Sequence, residues 1–186
     1  MPSPRAIGLS IGSLIFAQAC AAEPARSPAA GLPAYGPEDA TLLDDGLSGH
    51  LFDTAFVPGN AGDDPHFADR VSRAENIWLV KVATVSLNGS EGALGNNRSY
   101  GLSFRPLESL IGALPSEPIS LNISGKDPSF HWLDRAQGSW VGHEVLLMVR
   151  RYRDGDRVVL HFHGEPNSTA LRQQILEIRR AAPTRK

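Results

Sequence analysis

The chain has 186 residues, of which 41% are hydrophobic and 20% charged, with 14 prolines and 18 glycines. That composition fits one folded domain with tails and many turns, and excludes both wholesale disorder and two cores of ordinary size. A formal net charge of −2 points to no strongly charged partner, and a single cysteine rules out an internal disulfide.

Arg5 precedes a run from Ala6 to Ala17 that carries no charge and ends in small residues around Cys20, the pattern of a targeting segment. The run is shorter than the about 20 apolar residues of a membrane-spanning helix, and Gln18, Glu23, Pro24 and Arg26 close it. Ala17-Gln18-Ala19-Cys20 resembles the lipobox of bacterial lipoproteins, except that Ala17 stands where that family usually has Leu. The resemblance implies a signal peptide over residues 1–19, acylation of Cys20 as the new N-terminus, and a membrane partner reached through that lipid. An ordinary secretory signal cut near Ala19 or Ala22 would give a secreted protein instead. Ala21 and Ala22 include no Asp of the kind that resembles an inner-membrane retention signal, so the expected location is the outer membrane, facing the periplasm or the cell surface.

Residues 20–37 are rich in Ala, Pro and Gly without an apolar period and read as a flexible tether. Residues 38–62 form an acidic, irregular segment with isolated apolar side chains. From Glu23 to Glu75 the net charge is −7, and from Asn76 to Lys186 it is +4, an opposition that favours folding the first part back onto the second. Residues 63–180 are expected to be a β-barrel domain with flanking helices, and 181–186 a basic tail.

Within that domain, Asp63-Asp64-Pro65 suits a helix start, with Phe67, Val71 and Ala74 on one face. Beyond Asn76 the period becomes two. Ile77, Leu79, Lys81, Ala83 and Val85 alternate with Trp78, Val80, Val82 and Thr84, which marks a strand. Asn88 to Ser99 reads as a loop. A second strand carries Tyr100, Leu102 and Phe104 and ends at Pro106, and a third covers Ile119 to Ile123. Glu144 to His163 holds two apolar runs joined by Asp154-Gly155, the pair that a type I′ hairpin turn prefers. That turn pairs Arg153 with Asp156, and puts Leu147, Val149, Leu160 and Phe162 on one core face with His161 and His163 on a half-exposed polar face. A last helix, capped near Asn167 or Ser168, presents Leu171, Ile175 and Ile178.

The fold class expected is mainly β: a small five-stranded barrel of the OB type, with a helix before the first strand and another at the C-terminus. The order of an Ala-Glu-Asn-Ile-Trp-Leu-Val-Lys-Val strand, a Tyr-x-Leu-x-Phe strand, a Leu-Ile-Gly-Ala-Leu-Pro turn, an Ile-x-Leu-x-Ile strand and a Val-Gly-His-Glu-Val-Leu-Leu strand resembles netrin-like domains over about Ala74 to His163. The metalloprotease inhibitors of that family act through an N-terminal cysteine stapled by disulfides. This chain has none to make, so nothing of that activity carries over.

Three groups of residues bear on chemistry. His161 and His163 on one strand face, with Glu165 in the loop beyond, offer ligands for Zn²⁺, although a third protein ligand is not apparent from spacing. Arg150, Arg151, Arg153 and Arg157 crowd the hairpin tip, where a solvated tip or contact with an anionic surface such as lipid head groups is expected and nucleic acid is not. Trp132 and Trp140 flank a segment that Pro128 starts as a helical turn. Exposed they would form a sugar or peptide platform, and the expected role is to plug the open end of the barrel. No nucleophile elbow or phosphate loop occurs. The expectation is a lipid-anchored envelope binding module that contacts a protein or an anionic surface and needs no cofactor. The alternative is a metal-binding protein or metal-dependent hydrolase built on His161 and His163.

Overall fold

The computed structural model describes residues 29–52, 64–89, 91–92, 95–96, 98–136 and 139–182. In chain order the elements are α1 (Pro37–Leu42), β1 (Gly46–Leu47), a 3₁₀ turn (Gly49–Phe52), α2 (Phe67–Arg73), β2 (Asn76–Asn88), β3 (Glu91–Gly92), β4 (Gly95–Asn96), β5 (Ser99–Ile111), β6 (Ile119–Ser124), α3 (Pro128–Ala136), β7 (Glu144–Asp154), β8 (Arg157–Pro166) and α4 (Thr169–Ala181). Cys20 and the signal segment, the stretch 53–63 and the end of the basic tail lie outside the described residues. No helix among the described residues is long and apolar enough to cross a membrane.

The chain is mainly β, and its principal sheet has six strands in the order β1-β8-β7-β2-β5-β6, curled into a half-barrel. Five strands were expected. The sixth is β1, which runs parallel to β8 with Gly46 opposite His163 and Leu47 opposite Gly164. The stretch between β2 and β5, expected as a loop, holds the small β3–β4 hairpin.

Both faces of the sheet are apolar at its centre, which explains why β2 and β7 read as nearly continuous hydrophobic runs. On the inner face, Trp78, Val80, Val82, Leu102, Phe104, Ile123, Leu147, Val149 and Phe162 form one core with Phe130 and Leu133 of α3 and Leu47 of β1. That cluster reaches both edge strands, so it fills the inside of the curl. On the outer face Ile77, Leu79, Leu146, Met148 and Tyr152 form a second core beneath Leu42 and Leu43, Phe67 and Val71 of α2, and Leu171 and Ile175 of α4. Helix α4 begins at Ser168, whose hydroxyl accepts from the Leu171 amide at 3.1 Å.

The hairpin departs from the expected register. Asp154 pairs with Arg157, Val149 with Phe162 and Leu147 with Gly164. Gly155 takes the first central position of the turn at φ +60°, and Asp156, which has no positive φ, takes the second. That is the pattern of a type II′ turn, in which only the glycine must enter the left-handed region. The slip relative to expectation is two residues. Strand alternation has period two, so every side chain keeps its face: Phe162, Leu147 and Val149 are buried in the inner core with Leu160 packed against it. The outer face, expected to be half-exposed, is instead a helix-covered core, and His163 is only 5% exposed there.

Pro106 does not end its strand. It pairs with Val80 while Glu108 pairs with Leu79, so Leu107 bulges out and β5 continues to Ile111. A bulge is where a strand tolerates a residue without an amide proton. Gly112 then turns the chain at φ +77°.

Candidate functional site

Strand β8 aims His161, His163 and Glu165 to the outer side of the sheet, two residues apart. Glu165, expected in a loop, is the penultimate residue of β8 and is 5% exposed. What meets these side chains comes from the start of the described chain. Residues 33–35, read from sequence as part of a tether, lie against the sheet: the Pro33 carbonyl accepts from the Arg153 amide at 2.8 Å, and Ala34 bridges Arg153 in parallel. The Tyr35 ring stacks on His161, with centroids 3.5 Å apart and planes within 2°. Helix α1 follows, started by Pro37 with Glu38 and Asp39 in its first turn.

Asp44 and Asp45 then occupy the two positions before β1. Asp45 adopts φ +58°, which Asp tolerates better than most residues. In that conformation its amide donates to the Phe162 carbonyl at 2.9 Å, while its carboxylate accepts from the Phe162 amide at 3.1 Å and from His161 Nδ1 at 2.8 Å. One aspartate thus completes the edge of β8 with its main chain and its side chain together.

His163 is gripped from both sides. Its Nδ1 lies 2.7 Å from Asp44 Oδ1 and its Nε2 lies 3.2 Å from Glu165 Oε1. Two ionised carboxylates are both satisfied by one ring when it carries both protons, so the arrangement favours the imidazolium form of His163. Burial alone would lower its pKa, but the hydrogen bonds to Asp44 and Glu165 outweigh that, and the pKa lies above the ordinary imidazole value. For Asp44, burial pushes upward, and the bond and charge of His163, with Arg70 nearby, bring the pKa below the usual carboxylate value. Burial wins at Asp45, whose pKa is raised despite His161. The Tyr35 phenol, which donates to the Leu43 carbonyl at 2.6 Å, is pushed up to about 12 by burial and by Asp45, Asp44 and Asp39.

Arg70 of α2 closes the network. It pairs with Asp64, lies 3.9 Å from Glu165, and donates through Nε to the Leu42 carbonyl at 2.7 Å. A cleft of about 270 Å³ opens over this cluster, bordered also by His50, Asp127 and Trp132. Asp127 spends one oxygen on the Ser129 amide at the start of α3, and Ser129 in turn accepts from Leu47 N at 2.7 Å and donates to Leu47 O at 3.1 Å. Helix α3 is thereby tied to β1 across the open side of the curl.

Of the residues expected to hold a metal, His163 and Glu165 are in direct contact, whereas His161 is engaged separately by Asp45 and Tyr35. Among the described residues no three His, Cys, Asp or Glu side chains are arranged to hold a metal ion. The arginines of the hairpin differ in what they touch. Arg151 pairs with Glu75, Arg157 with Asp154, Arg150 lies over the Tyr152 ring and reaches the Arg73 carbonyl, and Arg153 is exposed. Trp140 is 3% exposed in the inner core. Trp132 is half-buried beside Phe52.

No protein-family model matches this chain, and comparison with curated proteins and with solved structures finds no similar one.

Sequence reasoning missed Asp44, Asp45, Arg70 and Tyr35. The signal that bears on them is the charge opposition between the two parts of the chain, since an acidic pair next to a basic half is a candidate to dock on it.

Proposed function

We infer that this chain is an exported, lipid-anchored binding module of the cell envelope, without catalytic activity. The observation that carries this reading is the mutual satisfaction of the polar cluster: Asp44, Asp45, His161, His163, Glu165 and Arg70 are one another's partners. Such a cluster fastens the N-terminal segment to the last strand and leaves no free base beside a nucleophile, which catalysis of acyl or phosphoryl transfer needs.

The finer fold reading is an OB-type barrel of the netrin-like kind. Its support is the succession β2, β5, β6, α3, β7, β8 together with the order β8-β7-β2-β5-β6, in which a helix precedes the fourth of five strands. In a closed barrel of this type the third and fifth strands meet. Here β1 and α3 stand between β6 and β8 instead.

Anchoring rests on the likeness of Ala17 to Cys20 to a lipobox. Nine residue steps separate Cys20 from Ala29, a reach of at most about 30 Å. A lipid on Cys20 would therefore hold the domain near the bilayer, with the hairpin tip beside Pro33 on that side.

The test is to express the full chain in a Gram-negative host with labelled palmitate, alongside Cys20→Ser. The parent is expected to take up label and fractionate with the outer membrane, and Cys20→Ser to do neither. Label retained by Cys20→Ser overturns the anchor. Elemental analysis of the same preparations is expected to find no stoichiometric metal. Zinc present in the parent and lost in His161→Ala/His163→Ala would replace the binding module with a metal site.

A further inference from the structure

A second cleft, of about 320 Å³, opens on the other side of Trp132 from the His163 network. That is the small end of the range for ligand pockets. Its walls are aromatic because three local features converge there: Phe52 ends the 3₁₀ turn, Trp132 stands on α3, and Trp140 opens the turn that leads to β7. Phe52 lies 5.4 Å from Trp132 and 4.2 Å from Trp140 between ring centroids. His143 continues the row, 5.9 Å from Trp140 with planes 14° apart. Trp132 rests on Gly49, where an added Cβ would sit 3.1 Å from a ring carbon. Phe52 and Trp132 remain half-buried, so ring surface is left for a ligand.

The rim decides the charge of that ligand. Arg135 follows Trp132 by three residues on α3 and so shares its face, and among the described residues no carboxylate borders the cleft. Arg70, Arg73, Arg98, Arg151, Arg157 and Arg172 each face a carboxylate. Arg135 has no such partner among the described residues. An exposed guanidinium on the rim of an aromatic cleft whose rings are tilted against one another presents a planar donor fork near π faces, the pair of features that suits a flat ring bearing a carboxylate.

We propose that this cleft binds a small aromatic carboxylate, with its ring against Phe52 and Trp132 and its carboxylate on Arg135. This rests on the binding-module reading and gives it a ligand class.

The full-length protein is titrated by calorimetry with indole-3-acetate and with indole-3-acetamide, which keeps the ring and removes the charge. Saturable binding of the acid is expected, with the amide about tenfold weaker. Arg135→Gln is expected to bring the acid to the level of the amide and leave the amide unchanged, and Trp132→Leu to weaken both. A matching melting temperature for Arg135→Gln, whose side chain is exposed, excludes a folding defect. Absence of saturable binding, equal affinity for acid and amide, or an unchanged acid affinity in Arg135→Gln overturns the site. None of those results touches the labelling of Cys20 or the metal analysis, so the cleft and the anchored-module reading fail separately.

Discussion

Asp44 and Glu165 hold opposite nitrogens of the same imidazole, that of His163, at 2.7 and 3.2 Å. The two carboxylates favour the protonated ring in the folded state. In the unfolded chain it loses its proton near pH 6.5, whereas in the folded chain the pKa is higher. Between those two values the folded state binds the extra proton, so stability falls as pH rises. The contribution is complete below pH 6.5 and is lost as pH passes the folded value. Melting temperatures from pH 5 to 9 should decline on the alkaline side, and His163→Gln should flatten the decline. An equal slope in both proteins would mean that His163 is not the group responsible.

The inner and outer faces of β8 should respond differently to truncation. Phe162 is 2% exposed, opposite Val149, and Phe162→Ala is expected to destabilise by about 3–5 kcal/mol through lost burial and the cavity left behind. His161→Ala removes one hydrogen bond and a stacked ring, but Asp45 keeps its bond to the Phe162 amide. A cost of about 1–2 kcal/mol follows. Denaturant unfolding of the two variants checks the order, and a more severe His161→Ala would contradict the face assignment.

Gly112 is a position where an added methyl group has nowhere to go. Its φ is +77°, and a Cβ there would collide with the Asn76 side-chain oxygen, which also accepts from the Ala113 amide at 3.2 Å. Gly112→Ala should cost about 1–3 kcal/mol from left-handed strain and the displaced bond. Gly155→Ala, at φ +60° with open space around it, should cost less, because strain acts there without a clash. Equal losses of melting temperature would show that Asn76 yields freely.

Helix α4 covers the outer core, and its first turn depends on the Ser168 hydroxyl. Ser168→Ala is expected to cost about 1 kcal/mol, with faster amide exchange confined to the first turn of the helix. Protection unchanged at Leu171 would remove the cap from the account.

The strands were readable because apolar residues at period two leave few alternatives. This holds for Ile119, Leu121 and Ile123, where inward and outward positions alternate strictly. In β2 and β7 both parities are apolar, so the pattern marks a strand without saying that two cores share it. The hairpin register went astray at Asp154-Gly155, since a turn signal of one glycine and two acidic neighbours fits two placements and only the backbone angle at Asp156 separates them. His161, His163 and Glu165 were visible as a set. Their partners were not, because Asp44 and Asp45 are fixed by a left-handed residue and a parallel pairing that no local period encodes. The aromatic cleft was half legible: Trp132 and Trp140 stood out, while Phe52 and Arg135 acquire meaning only when the 3₁₀ turn meets α3.

The pairing of β1 with β8 also sets an order of events. Asp44 waits 119 residues for His163, and Asp45 waits 116 for His161. Synthesis runs from the N-terminus, so residues 35–47 leave the ribosome long before their partners do. Closure of so long a loop is entropically costly and slow, so the hairpins can assemble early while the acidic strap stays unbound. The expected order is therefore that the hairpins form first and the outer face of β8 is covered by the strap afterwards.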